Sequence, residues 1–202
     1  MKARQLLIAT GNPGKLRELH RLLSDLPFAL HDLNSFSSIN PVSENGSTFA
    51  ENASLKASGY ARQTGLMTLA DDSGLEVEAL AGAPGVRSAR YAGAGASDAQ
   101  RVQKLLSELA TAGAGKRTAR FVSAIAVAGQ DGQILNLSQG ICAGIITTEP
   151  RGQSGFGYDP IFVPDGFAET FAELPSDVKN RISHRGQALK ATAEFLRSLT
   201  GS

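Results

Sequence analysis

Apolar residues recur along this chain with two different spacings. The leucines at 16, 19, 22 and 23 lie three or four residues apart, which predicts a helix with one apolar face. The same spacing predicts helices over 48–63, from Ser97 onward and over about 184–199. Apolar runs of strand length predict extended segments at 6–9, 66–80, 118–128, 133–143 and 160–163.

Turn and capping residues separate these segments. Thr48-x-x-Glu51 has the spacing of a capping box, and Ser97-x-x-Gln100 opens a further helix. Gly113-Ala114-Gly115 is predicted to end that helix, and Asp131-Gly132 predicts a hairpin turn. The glycine-rich stretches at 82–95 and 152–157 are predicted to be loops, lobe junctions or cleft walls.

The mixture of helices and strands predicts an α/β fold with a long mixed β-sheet flanked by helices. With 202 residues the chain can bury a sizeable core, and we expect a single domain over 1–202. Charged residues make up 19% and the net charge is +1, which excludes a strongly basic nucleic-acid-binding protein.

Cysteine usage and the apolar runs bear on the compartment. Cys142 is the single cysteine, so the chain has no internal disulfide, and it is predicted to be a buried thiol in a reducing compartment. The N-terminal apolar run is too short for a signal peptide, and no run reaches membrane-spanning length. These features favour a cytoplasmic protein without a membrane partner.

The motif Asp71-Asp72-Ser73-Gly74 follows the apolar run 66–70. Side chains alternate along an extended chain, so one aspartate can face a ligand while the other braces the backbone. Carboxylate oxygens suit a hard cation such as Mg²⁺. An Asx-type turn explains the same residues, and 66–80 is accordingly predicted to be two strands flanking a bend.

A second motif joins the strand at 6–9 to the helix that contains Leu16. Its residues, Thr10-Gly11-Asn12-Pro13-Gly14-Lys15, form a strand–loop–helix arrangement that can present backbone N–H groups to an anion, with Lys15 adding a positive charge. The glycine spacing differs from that of a Walker A motif. A plain strand-to-helix turn with a surface lysine remains the alternative.

A third group of residues lies near the C-terminus. Phe156 stands between two glycines and can offer its ring to a base, and Lys179, His184 and Arg185 can donate to phosphate or carbonyl oxygens. Core packing is the alternative for Phe156 and Tyr158. A solvated helix face is the alternative for Lys179 and Arg185.

Taken together, the chain resembles the inosine triphosphate pyrophosphatase family, which includes the bacterial dITP/XTP pyrophosphatases. The matching segments keep the family's order and span nearly the whole chain. They are Thr10–Lys15, Thr48–Ala53, Ala70–Leu75, Gly82–Val86 with Ser88–Tyr91, Gly155–Pro160 and Ile182–Ala188.

The resemblance implies an elongated, two-lobed fold with a central nucleotide cleft, Mg²⁺ as cofactor and a homodimer. It implies hydrolysis of dITP, ITP or XTP to monophosphate and pyrophosphate, with Asp72 as catalytic base and metal ligand. Glu44 is the second implied metal ligand, and Glu51 is the alternative. The implied substrate-binding residues are Thr10, Gly11, Asn12, Pro13, Gly14, Lys15, Ser73, Phe156, Gly157, Tyr158, Asp159, Lys179, His184 and Arg185.

A site lined with hydrogen-bond donors favours a purine that presents an acceptor, a carbonyl, at C6. Donors such as His184 and Arg185 would bind that carbonyl, Phe156 would stack on the ring, and Asp159 could accept from the ring N1–H. Two alternatives remain open: a pyrophosphatase of related fold for modified pyrimidine triphosphates, and a nucleotide sensor that does not hydrolyse its ligand. The sequence does not distinguish dITP, ITP and XTP.

Overall fold

The structure is a computed structural model that describes residues 4–112 and 117–200. These residues form six strands and five α-helices, joined by loops and short 3₁₀ turns. In chain order they are β1 (Arg4–Ile8), α1 (Pro13–Leu23), β2 (Phe28–Asp32), α2 (Phe49–Thr64), β3 (Met67–Val77), α3 (Asp98–Thr111), β4 (Thr118–Ala128), β5 (Ile134–Ile146), β6 (Phe162–Pro164), α4 (Ser176–Ile182) and α5 (His184–Ser198).

The predicted α/β fold with a mixed sheet is confirmed. The strands are hydrogen-bonded in the order β2-β1-β3-β4-β5-β6. β1 pairs in parallel with β2 and with β3, and β5 pairs antiparallel with β6. Parallel neighbours require crossover connections, and α1 and α2 lie in the two connections that lead from β1 through β2 to β3.

The helix starts follow the capping residues in the sequence. The Thr48 hydroxyl accepts from the Glu51 amide at the start of α2, and Gly65 ends that helix with φ +67°. Ser97 and Gln100 form a complete capping box at the start of α3. The hairpin is also confirmed: the Gly129 amide donates to the Gln133 carbonyl between β4 and β5.

Several elements differ from the sequence prediction. The expected bend in 66–80 is wrong, because β3 runs unbroken through Asp71–Gly74. β2 and α4 were not predicted; β2 is a half-buried edge strand of five residues and α4 has only seven, so neither has a strong pattern. The loop at 82–95 contains a 3₁₀ helix, Gly85–Arg90. The predicted helix end at Gly113-Ala114-Gly115 lies outside the described residues.

The chain divides into two compact units, each with its own hydrophobic core. Unit 1 comprises the described parts of Met1–Asp72, Ser123–Gly140 and Arg185–Ser202, and unit 2 those of Ser73–Val122 and Ile141–His184. In unit 1 α1 and α5 pack on β1, with Leu19, Leu189 and Leu196 fully or almost fully buried. In unit 2 the core includes Leu105 from α3 and the fully buried Phe162 and Phe171. Among the described residues, no helix is long and apolar enough to cross a membrane.

Gly74 permits a close approach within unit 2. A Cβ at this position would lie 2.3 Å from Ser88 Oγ and 2.6 Å from the Gly85 carbonyl oxygen. The Ser88 hydroxyl at that point accepts from the Leu75 amide at 2.9 Å and donates to the Gly85 carbonyl at 2.6 Å. Gly74, which the sequence analysis assigned to a turn, therefore has a packing role: because it lacks a side chain, the 3₁₀ helix can lie directly on the extended strand.

We expect Gly74→Ala to destabilise the protein by about 2 kcal/mol, because the added methyl group forces the Ser88 contact apart. Urea unfolding measures this loss. Gly11→Ala is the matched control, since a Cβ there meets no atom within 4 Å. Equal stabilities of the two variants would show that the 3₁₀ helix yields without cost.

Candidate functional site

Five charged residues of unit 1 form one group, here called the lysine–carboxylate cluster: Lys15, Glu44, Lys56, Asp71 and Asp72. Lys56 is at its centre and is only 8% exposed. Its Nζ lies 3.0 Å from Glu44 Oε2 and 3.8 Å from Asp72 Oδ1, and it donates to the Asp71 backbone carbonyl at 2.7 Å. One ammonium group therefore gathers two carboxylates and one carbonyl.

The helix α2 holds the segment that carries Glu44. The Gln63 side chain exchanges hydrogen bonds with the Asn40 backbone, and the Tyr60 hydroxyl accepts from the Val42 amide at 3.3 Å. Beyond Glu44, the buried Asn52 side chain accepts from the Gly46 amide at 2.8 Å. Contacts on both sides fix the backbone, so Glu44 is held beside Lys56 although it lies in a loop.

The two candidates for the second metal ligand, Glu51 and Glu44, have different surroundings. Glu51 Oε2 accepts from the Ser47 amide at 2.6 Å and from the Ser47 hydroxyl at 2.8 Å. These hydrogen bonds lower the pKa of Glu51. Glu51 thus has a structural partner at the helix start, whereas Glu44 shares Lys56 with Asp72. The geometry favours Glu44.

Asp71 is fully buried and braces the cluster. Its Oδ2 lies 2.7 Å from Lys15 Nζ and 3.6 Å from Arg185 Nε, and its Oδ1 accepts from the Ser123 hydroxyl at 2.6 Å. Burial opposes the charge, but Lys15 and Arg185 hold the pKa of Asp71 well below its usual range. Arg185 is itself paired with Glu18. Asp71 therefore joins β3 to α1, β4 and α5.

Asp72 has the opposite character. Burial raises the pKa of this carboxyl above its usual value, although Lys56 and Lys15 partly offset the shift. Its Oδ2 is buried and has no hydrogen-bond partner in residues 4–112 and 117–200. A buried carboxylate oxygen without a hydrogen-bond partner is costly unless it binds another group. Because Asp72 shares Lys56 with the Glu44 carboxylate, the two carboxylates suit a ligand pair for a hard cation.

Only a small donor set is available for a metal ion. No group of three or more His, Cys, Asp or Glu side chains within the described part of the chain could hold one. Mg²⁺ needs no such cage, because it is commonly held by one or two carboxylates with water and substrate phosphates as the other ligands. The residues Glu44 and Asp72 therefore fit Mg²⁺ bound together with a phosphorylated substrate.

The loop before α1 uses most of its amides internally. The Asn12 side chain caps the helix, accepting from the amides of Gly14 at 2.8 Å and Lys15 at 3.2 Å. The amides of Thr10 and Asn12 donate to the Ile8 carbonyl and the Thr10 hydroxyl. Pro13 has no amide hydrogen and begins α1. A phosphate at this loop would have to compete for these groups, while the Lys15 ammonium is oriented by Asp71.

A second group lies in unit 2 and is here called the aromatic–lysine cluster: Phe121, Phe156, Asp159, Phe171, Lys179 and His184. Lys179 Nζ lies 5.0 Å from the centre of the Phe156 ring and donates to Asp159 Oδ2 at 2.7 Å. The same Oδ2 accepts from the Phe156 amide at 2.8 Å. The His184 ring stacks on Phe121, with the ring centres 4.6 Å apart.

Other predicted substrate-binding residues have different surroundings. Tyr158 lies in the hydrophobic core of unit 2, and its hydroxyl donates to the Ser88 carbonyl at 3.0 Å. Ser73 is half-buried within β3. Gly157 donates its amide to Asp98 Oδ2 at 2.7 Å. For Tyr158, core packing is thus what the structure shows.

Three residues that the structure brings into these contacts were missed by the sequence analysis: Lys56, Ser123 and Glu18. Lys56 could have been found from the sequence, because it lies on the buried face of α2 with Asn52, Ala53 and Ala57. A lysine in the apolar stripe of a helix needs a buried partner. Ser123 and Glu18 could not have been found in this way, since their partners Asp71 and Arg185 are distant in sequence.

Comparisons with known proteins cover nearly the whole chain. The model of the Ham1 family matches residues 6–195. A dITP/XTP pyrophosphatase of Desulforamulus reducens is 47% identical over 96% of this chain and 96% of that protein. The structure of a HAM1 protein from Coxiella burnetii is 45% identical, with a TM-score of 0.87 over 98% of this chain and 100% of that chain. The structure of a nucleoside-triphosphatase / dITP/XTP pyrophosphatase from Mycobacterium abscessus is 42% identical, with a TM-score of 0.74 over 93% and 97%.

The position of Asp71 generates a prediction about stability. Asp71→Asn removes the charge that pairs with Lys15 and Arg185, and we expect a loss of about 3 kcal/mol near neutral pH. Because the pKa of Asp71 is lower in the folded than in the unfolded chain, its contribution is complete above the usual pKa of about 3.9 and is lost as the pH falls below it.

Chemical unfolding at several pH values measures the difference between wild type and Asp71→Asn. It should be constant at about pH 5–8 and should shrink below about pH 4. Ser123→Ala is the comparison: it removes only the hydroxyl donor to Asp71 Oδ1, which also helps to lower the pKa of Asp71, so we expect a smaller loss of about 1.5 kcal/mol with the same decline toward acid pH. A difference that grows toward acid pH would contradict the lowered pKa of Asp71.

Proposed function

This chain belongs to the Ham1 family, and we propose that it hydrolyses deaminated purine nucleoside triphosphates to monophosphate and pyrophosphate. The substrates would be dITP, ITP and XTP, which the reaction would remove from the nucleotide pool. The observation that carries the proposal is the lysine–carboxylate cluster, in a chain whose relatives named dITP/XTP pyrophosphatase match it over nearly their full length. The reaction class follows from what this cluster can do chemically.

In the proposed reaction, Asp72 is the general base that accepts a proton from the attacking water. A water molecule attacks the α-phosphorus, Asp72 orients it and accepts its proton, and the bond to the departing pyrophosphate breaks. A raised pKa makes a carboxylate a stronger base, which supports Asp72 in this role. Lys15 and Lys56 bring positive charge to the same cluster, where charge on a triphosphate must be offset.

Mg²⁺ is part of the proposal. Glu44 and Asp72 would hold it, since they share Lys56 and Asp72 Oδ2 has no partner in the described part of the chain. When bound, it would supply charge neutralisation to the phosphates. Lys56 has a separate role, because its contact with both carboxylates limits their mutual repulsion and keeps them near each other.

The remaining assignments are proposals for substrate contacts. Thr10–Lys15 would contact phosphate, chiefly through Lys15, with Ser73 as a further contact. Phe156 would stack on the base, supported by Lys179 beneath its ring, and His184 and Arg185 would donate to the purine carbonyls. Since Asp159 Oδ2 already accepts from Lys179 and Phe156, any contact to the ring N1–H would fall to its other oxygen.

A homodimer in the cytoplasm completes the proposal. Apolar side chains on β5 are exposed in the single chain: Leu135 and Leu137 in unit 1, and Ile141 and Ile145 in unit 2. Exposed apolar side chains of this size are commonly covered by a partner, and a second copy would provide one. The buried Cys142, whose pKa burial raises to about 11, fits a thiol that stays reduced and unreactive.

Product analysis tests the proposed reaction. The enzyme is incubated with dITP and Mg²⁺ in ¹⁸O-labelled water, and the products are separated and weighed by mass spectrometry. We expect monophosphate and pyrophosphate in equal amounts, with the label in the monophosphate, because attack is at the α-phosphorus. The kcat/KM for dITP should exceed that for dATP by roughly 100-fold, since adenine presents a donor at C6.

Three results would contradict this reaction. Stepwise release of orthophosphate would exclude a pyrophosphatase, and label in pyrophosphate would place the attack at the β-phosphorus. Equal rates with dITP and dATP would contradict the base selectivity. A modified-pyrimidine triphosphate as the best substrate would favour the related specificity, and binding without turnover would favour a sensor.

We expect Asp72→Asn to lower kcat by at least ~100-fold while the protein stays folded, because the amide cannot accept the proton. Asp25→Asn, which changes an exposed aspartate of unit 1, is the matched control. Near-normal turnover of Asp72→Asn would remove Asp72 from the mechanism.

A further inference from the structure

The loop that carries Phe156 is held from within on one side. The Phe156 amide donates to Asp159 Oδ2, and the Asp159 amide donates back to the Phe156 carbonyl at 3.3 Å. Gly155 has φ +80°, and a Cβ there would lie 2.1 Å from Asp159 Oδ2. These contacts close the first half of the loop around the Asp159 carboxylate, but they do not reach the amide of the residue that follows Phe156.

That next amide is held by α3. Asp98, the first residue of the helix, accepts from the Gly157 amide through Oδ2 at 2.7 Å. The hydrogen bond fixes the peptide plane between Phe156 and Gly157, and with it the direction in which the Phe156 side chain leaves the backbone. Asp98 therefore acts on the peptide directly attached to the residue whose ring is proposed to stack on the base.

The Asp98 carboxylate is not used to cap its own helix. Ser97 and Gln100 form the capping box, so the helix start is already satisfied without Asp98. Asp98 Oδ1 is paired instead with Arg101. Arg101 also donates to the backbone carbonyls of Ala89 and Ala96. The carboxylate is thereby held between a fixed guanidinium and the Gly157 amide.

The space on the side-chain face of Gly157 is open. A Cβ at Gly157 would meet no atom within 4 Å. A cavity of about 580 Å³ opens beside it, lined in part by Gly157, Pro160 and the α3 residues Val102 and Leu106. Asp98 also lines this cavity, so its charge-assisted hydrogen bond to the Gly157 amide holds the loop to α3 at the cavity wall.

We propose that Asp98 is a positioning residue that sets the orientation of Phe156 and so contributes to base selectivity. The inference rests on the proposed role of Phe156 in base stacking. Asp98 touches neither substrate nor the lysine–carboxylate cluster in this scheme; it acts through the Phe156–Gly157 peptide. Its loss should weaken base binding and leave the chemical step unchanged.

The first test needs no substrate. The chain contains no tryptophan, so Phe156→Trp introduces a single tryptophan at the loop, whose fluorescence can be excited selectively over that of the three tyrosines. In that background Asp98→Ala should increase quenching of the reporter by acrylamide, because the loop loses its contact with α3. Asp98→Asn keeps an oxygen that can accept from the Gly157 amide and should restore much of the protection. Ser107→Ala, also on the cavity wall, is the matched control and should have no effect.

The second test is kinetic and uses wild-type Phe156. Asp98→Ala should raise KM for dITP about ten-fold with kcat little changed, and should lower the preference for dITP over dGTP. Asp98→Asn should again lie closer to wild type. Should Asp98→Ala fail to fold, Asp98→Ser replaces it, since serine suits a helix start but is too short to keep the contact.

The outcomes separate this inference from the proposed function. Unchanged quenching and unchanged KM in Asp98→Ala would overturn the positioning role. A fall in kcat at constant KM would overturn it as well, since it would give Asp98 a part in the chemical step. Looser fluorescence in a protein that hydrolyses no deaminated triphosphate would support the positioning of Phe156 and overturn the function instead.

Discussion

The buried carboxylate of Asp71 is the constraint on which unit 1 depends. It lies in the middle of β3 and contacts Lys15 of α1, Ser123 of β4 and Arg185 of α5. A charge buried in this way is tolerated only when it is paired and hydrogen-bonded, so the three elements must meet at one point for the chain to fold. The contacts that join these elements also orient the Lys15 ammonium. Folding of unit 1 thus places the Lys15 ammonium in the position proposed for phosphate binding.

Two adjacent aspartates acquire opposite properties because a strand alternates its faces. Asp71 meets two cations and its pKa falls, while burial dominates at Asp72 and its pKa rises. Neighbouring carboxyls whose pKa values are driven apart in this way are typical of catalytic sites, where one residue is structural and the other handles the proton. Lys56 connects the two, since it donates to the Asp71 carbonyl and approaches the Asp72 carboxylate.

The sequence was most informative where structure is local. Thr48 and Ser97 marked the starts of α2 and α3, and Asp131-Gly132 marked the hairpin, because capping and turn formation involve residues a few positions apart. The bend expected at Asp71–Gly74 was wrong, since turn preference yields to contacts made by distant residues such as Ser88 and Lys15. Grouping Lys15 with Asp71, and Lys179 with Asp159, likewise required the tertiary structure. The roles of these residues toward a nucleotide stay predictions.

Unit 2 uses the same physical device as unit 1. Asp159 is almost fully buried, and its Oδ2 accepts from both the Lys179 ammonium and the Phe156 amide. In each unit a buried carboxylate fixes a lysine and, through it or beside it, a group proposed to meet the substrate. Because each of these carboxylates is paired with a lysine ammonium group, protonating it would break a buried ion pair, which makes it a poor candidate for a proton acceptor during turnover. Asp72 differs from both, since its pKa is raised and one of its buried oxygens has no hydrogen-bond partner in the described residues; this contrast supports the proposed role of Asp72 as the proton acceptor.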